Sequence, residues 1–81
     1  MTITVLFFAM LRSATGADQA LLEVGAGCSA GDAVLLAQHR WPQLDGWIRC
    51  SRLALNGAYT RPDALLSDGD ELAIIPPVSG G

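Results

Sequence analysis

In the stretch TITVLFFAM, Thr2 to Met10, alternation sends Ile3, Val5 and Phe7 to one face of an extended segment and Leu6 and Phe8 to the other. Both faces are apolar and rich in β-branched and aromatic residues, so this strand belongs inside a sheet. The rest of the chain must supply its neighbours. At 81 residues the chain has room for one domain with a modest core. Hydrophobic residues make up 51% of it and charged residues 16%, a balance that favours folding over disorder.

The run Val5 to Leu11 is the most apolar in the chain, yet it is far below the roughly 18 residues of a membrane span. It also lacks the basic segment that precedes a secretory core, so we read it as a buried strand and expect no membrane association. A net charge of −3 with no basic run argues against nucleic acid, whose phosphates require clustered Lys and Arg. All five basic residues are arginines, leaving no lysine. Cys28 and Cys50 show neither metal-ligand spacing nor a disulfide framework, the pattern of free thiols in a cytoplasmic protein.

The remaining elements follow from punctuation. "LRSATGAD" allows a turn or two of helix from Leu11 before Gly16 breaks it, and Gln19 to Val24 reads as a short strand closing a first hairpin. Ser29 with Asp32 three residues on resembles a capping box. The helix it opens places Ala30, Ala33, Val34, Ala37 and Trp41 on one apolar face, and Pro42 closes it. His39 and Arg40 fall in the last turn, where cations suit the helix dipole; His39 has no acidic or second imidazole partner nearby in sequence and reads as solvated. "RLALNGAYT" gives a strand, the turn Asn56-Gly57, and a short return strand. Asp68-Gly69-Asp70 turns into a last strand, Glu71 to Ile75; the spacing of these acids does not fit a calcium loop, and no metal site is expected.

The order predicts an α+β fold with one main helix across a mixed sheet of four to five strands. It matches the ubiquitin-like β-grasp roll, in which the last strand runs centrally beside the first. Residues 1–75 form the domain on this reading, and residues 76–81 an extended, flexible Gly-Gly tail. Pro76 and Pro77 lack an N–H and fix φ, so they end the ladder and continue as an extended strut. Val78, Ser79, Gly80 and Gly81 are then free of the sheet, and the two glycines have no Cβ to block a narrow channel. Such a tail is either threaded into another protein's active site or merely frayed. Its carboxylate, with a reference pKa of about 3.3–3.7, is a poor electrophile at neutral pH and needs activation before it can react.

Three segments, "VLFFAMLR" (Val5 to Arg12), "LALNG" (Leu53 to Gly57) and above all "LSDGDELAIIPPVSGG" (Leu66 to Gly81), resemble the small subunit of molybdopterin synthase, a ubiquitin-like sulfur carrier. The middle of the chain, from Ala26 to Arg52, matches it only as a pattern. The resemblance implies that an adenylating activating enzyme, using ATP, adenylates Gly81, and that a sulfur donor converts it to a thiocarboxylate. It further implies that Gly80 and Gly81 enter the large synthase subunit, where sulfur passes to cyclic pyranopterin monophosphate. The large subunit then supplies the catalytic groups, and this chain binds no cofactor and turns over nothing alone. Candidate contacts with partners are Phe7, Phe8, Arg12, Pro76, Pro77, Val78 and Ser79. Phe8 reads equally as a docking residue or as buried under the helix. Competing readings are a sulfur carrier for thiazole or cysteine, a protein modifier joined through Gly81 to a target lysine, and a plain interaction module.

Overall fold

The computed structural model describes residues 1–77; Val78, Ser79, Gly80 and Gly81, and the expectations that fall on them, lie outside the described residues. Five strands form one mixed sheet: β1 (Thr2–Phe7), β2 (Gln19–Glu23), β3 (Arg52–Leu55), β4 (Ala58–Thr60) and β5 (Glu71–Ile75). Their spatial order is β2-β1-β5-β3-β4. β1 lies parallel to β5, with Val5 opposite Leu72 and Phe7 opposite Ile74, while the other pairs are antiparallel. The two-faced strand read from the sequence is therefore flanked on both sides, and the last strand runs beside the first.

Helix α1 (Met10–Thr15) follows β1 and ends at Gly16, whose φ of 77° suits a residue without a Cβ. Helix α2 (Ala30–Arg40) opens with both halves of the capping box. The Asp32 N–H donates to Ser29 Oγ at 3.1 Å, and the Ser29 N–H donates to Asp32 Oδ2 at 3.2 Å. Removing such a cap costs about 1 kcal/mol. Ala30, Ala33, Val34 and Ala37 bury the predicted face.

Trp41 is the helix's C-cap and is only partly buried; its ring meets Phe7 edge-on, with centroids 5.0 Å apart. Pro42 closes α2 as expected but at once opens a 3₁₀ turn (Pro42–Leu44), which runs into a short helix α3 (Asp45–Ile48) absent from the sequence reading. Proline suits a first helical position because its missing N–H would be unpaired there anyway. Leu44 is fully buried, and Trp47 and Ile48 pack on the core, so tertiary contact holds what local propensity does not favour.

The core lies between the sheet and the helices. Ile3, Val5 and Phe7 from β1 and Leu72 and Ile74 from β5 meet Leu11, Ala33, Val34, Ala37 and Leu44. Asn56 and Gly57 turn β3 into β4 with φ values of 51° and 88°. The segment between β4 and β5 is pinned to the start of α2. There the Ala30 and Gly31 N–H groups donate to the Ala64 and Pro62 carbonyls, each at 2.8 Å.

Candidate docking face and tail exit

Register decides which side chains point away from the helices. Opposite residues share a face, so Thr4, Leu6, Leu21, Arg52, Ala54, Tyr59, Ala73 and Ile75 lie on the outer side of the sheet. Ala54 and Ala73 are buried there without belonging to the helix-side core. Leu21 is 66% exposed and Tyr59 68%. Among the described residues no helix packs on this face, leaving an apolar surface with a shallow centre of alanines. Exposed large apolar side chains on an uncovered sheet face make it a candidate interaction site.

β5 ends on the same surface. Because β1 and β5 are parallel, the end of β1, the start of α1 and the exit at Pro76-Pro77 gather at one end of the sheet. Phe8 and Arg12 are exposed there, and the 44% exposure of Phe8 excludes burial beneath α2. Arg12 faces Asp18 across 3.9 Å, an exposed pair worth little to stability and open to exchange for a partner's carboxylate.

Two expected contacts are corrected. Phe7 is only 2% exposed and packs in the core against Trp41, since the odd-numbered face of β1 is the one the helices cover. It offers no docking surface. Pro76 is buried as well, so the chain remains on the body for one residue past β5, and Pro77 is the exposed member of the pair. Pro76 and Pro77 line a cleft of about 340 Å³ with Cys50, Arg52, Tyr59 and Ile75.

Leu6, Leu21, Tyr59 and Ala54 were not singled out from the sequence, whereas Ala73 belongs to the apolar part of the last strand, which the sequence offers as candidate docking surface. The alternation of "RLAL" held the signal for Ala54, but which parity faces out is set by pairing with β5.

No group of three or more His, Cys, Asp or Glu residues converges as a metal would require, and no side-chain polar atom is buried without a partner, among the described residues. The Cys28 thiol is buried and pushed above its usual pKa, chiefly by desolvation and further by Asp32. It is a poor nucleophile. Cys50 is exposed. Asp70 accepts hydrogen bonds from Asn56 Nδ2 at 3.0 Å and from the Ser67 N–H at 2.7 Å, which hold its carboxyl below the usual range and tie the β3–β4 turn to the start of β5. No helix is long and apolar enough to cross a membrane, among the described residues. This arrangement can bind a partner and present a chain segment.

Comparison with known proteins agrees with that description. The ThiS family model matches residues 5–81. A molybdopterin synthase sulfur carrier subunit from Chlamydomonas reinhardtii is 44% identical, the match covering the whole of both chains. The small archaeal modifier protein 1 of Haloferax volcanii superposes with a TM-score of 0.93 over the full length of both chains at 26% identity. Subunits 1 and 2 of the molybdopterin-converting factor from Helicobacter pylori form a solved complex, of which one chain superposes with a TM-score of 0.74 at 22% identity, again with full coverage of both.

Proposed function

This chain belongs to the ThiS family, of the kind represented by the molybdopterin synthase sulfur carrier subunits, and on that premise we propose that it carries sulfur on Gly81 for molybdenum cofactor synthesis in the cytoplasm. The observation that carries the reading is the placement of the exit. β5 is held between β1 and β3 and runs out at Pro77 beside an uncovered apolar sheet face. A partner that covers this face lies beside the point where Pro77 leaves the sheet.

The chemistry assigned to Gly81 balances without any catalytic group from this chain. An activating enzyme joins the Gly81 carboxylate to the α-phosphate of ATP, releasing pyrophosphate and forming an acyl-adenylate. Sulfide equivalents from a donor attack the acyl carbon, AMP leaves, and a thiocarboxylate remains. Within the large synthase subunit the thiocarboxylate sulfur displaces an oxygen substituent of cyclic pyranopterin monophosphate, the C–S bond forming as that C–O bond breaks and the oxygen leaves as water or with the phosphate; hydrolysis of the resulting acyl–sulfur bond returns the carboxylate and leaves sulfur on the pterin. Two carriers complete one dithiolene. Gly80 and Gly81 admit these approaches because no Cβ stands beside the reacting carbonyl. Phe8, Leu21 and Tyr59 supply the docking contacts, with Arg12 at the edge and Val78 and Ser79 in the channel.

The test is the intact mass of the chain after incubation with a cognate activating enzyme, ATP and a sulfur source. The expected result is a gain equal to exchange of one oxygen for one sulfur, absent from a chain lacking Gly81. No gain with an enzyme competent on another carrier refutes the reading. A second reading, a protein modifier conjugated through Gly81, is favoured by the close superposition on the Haloferax volcanii modifier protein. It predicts chain-sized adducts on host proteins that disappear with Gly81.

A further inference from the structure

Charge is unevenly distributed along the strands. Glu23, Asp68, Asp70 and Glu71 gather where β1 and β5 begin: Glu23 lies opposite Thr2, Glu71 lies opposite Thr4, and Asp68 Oδ1 accepts from the Thr2 N–H. At the opposite end, where the tail leaves, Arg12 and Arg61 stand beside Asp18 and Asp63 at 3.9 and 3.8 Å. Arg52, directly across from Ile75, has no carboxylate within ion-pair distance among the described residues. Its guanidinium lies over the Tyr59 ring, 5.2 Å from the centroid.

Among the described residues no hydrogen bond or ion pair engages the side-chain N–H donors of Arg52, and a guanidinium takes a carboxylate bidentately. The cleft beneath has an apolar floor of Ile75, Pro76 and Pro77. A short aliphatic stem ending in a carboxylate fits both parts, with methylenes against Ile75 and the exposed Pro77 and oxygens on Arg52.

We infer that this cleft seats a Glu or Asp side chain of the partner that receives the tail, and that the acidic far end of the sheet disfavours the reversed orientation. The inference rests on the carrier reading and adds its orienting contact. Opposite charge at one end and like charge at the other select one docking direction, acting mainly on the encounter rate. The preferred direction is the one that aims the segment after Pro77 into the channel.

The test measures association of the full chain with its cognate large synthase subunit by stopped flow at low and high salt. Variants are Arg52→Glu, Arg52→Lys, and Arg49→Glu, which makes the same charge change in the groove on the helix side. Arg52→Glu is expected to slow association by about tenfold at low salt and to flatten its salt dependence. Arg49→Glu is expected to have a clearly smaller effect. Arg52→Lys keeps the charge but loses the planar fork, and is expected to fall between wild type and Arg52→Glu. Equal rates for wild type and Arg52→Glu, or equal slowing by Arg49→Glu and Arg52→Glu, would overturn the orienting contact and leave the carrier reading standing. A wild-type chain that does not bind the large subunit overturns both. Circular dichroism melts of each variant separate loss of contact from loss of fold.

Discussion

Replacing Phe7 with alanine removes a side chain that is 2% exposed and stands edge-on to Trp41 at 5.0 Å, in the layer where β1 meets the helices. Such truncations cost about 3–5 kcal/mol from lost transfer energy plus the cavity left behind. A chain of 81 residues has a total stability on the order of 4–12 kcal/mol. Phe7→Ala therefore removes about a quarter of it or more. In urea, with a slope near the lower end for small domains, the midpoint falls by roughly 2–4 M. Phe8→Ala, one residue away, behaves differently. Phe8 is 44% exposed at the end of β1, so its loss costs under about 1 kcal/mol of stability, within the range of surface changes. On the proposed carrier reading, what it weakens is affinity for the large subunit, where an aromatic anchor is worth about 1–2 kcal/mol or more. The assay pairs equilibrium urea unfolding with titration calorimetry on the same two variants. A Phe7→Ala chain within 1 kcal/mol of wild type, or a Phe8→Ala chain equally destabilised, would refute the assignment of one residue to the core and the other to the docking face.

Asp70, whose pKa is lowered in the folded chain by Asn56 and by the Ser67 N–H, contributes stability that is present above its unfolded value of about 3.9 and is lost as pH falls through the folded value. Acid unfolding of Asp70→Asn should accordingly show a shallower pH dependence below about pH 4, and an unchanged slope would count against the hydrogen bonds assigned here. The two thiols should separate under a thiol-reactive chromophore at neutral pH: exposed Cys50 reacts in the native chain, and buried Cys28 reacts only with unfolding. Equal labelling rates would contradict that burial.

The local signals in the sequence translated directly into structure. Ser29 and Asp32 form their reciprocal cap, Asn56-Gly57 turns a hairpin, and Asp68-Gly69-Asp70 precedes the last strand, because each depends on a few consecutive residues. Helix α3 was not legible, since "DGWIR" opens without a capping side chain and contains Gly46; Leu44, Trp47 and Ile48 hold it by reaching the core. The docking face was legible only in part. Alternation in β1 distinguished Phe7 from Phe8 but not which of the two the helices would cover. Ala54 and Ala73 are ordinary as letters and acquire meaning only when β3, β5 and β1 bring them together on the open side of the sheet. The cleft that Pro76 lines likewise depends on Arg52 from the neighbouring strand β3 and Tyr59 from β4 beyond it.

The most direct test of the carrier account follows the sulfur itself. The chain, prepared with a thiocarboxylate at Gly81, is mixed in stoichiometric excess with the large synthase subunit and cyclic pyranopterin monophosphate, and both the carrier mass and the pterin product are followed. The account predicts that the carrier returns to its carboxylate mass as the dithiolene forms, two carriers consumed for each product. A thiocarboxylate that persists while the large subunit turns over sulfur from another carrier would contradict it.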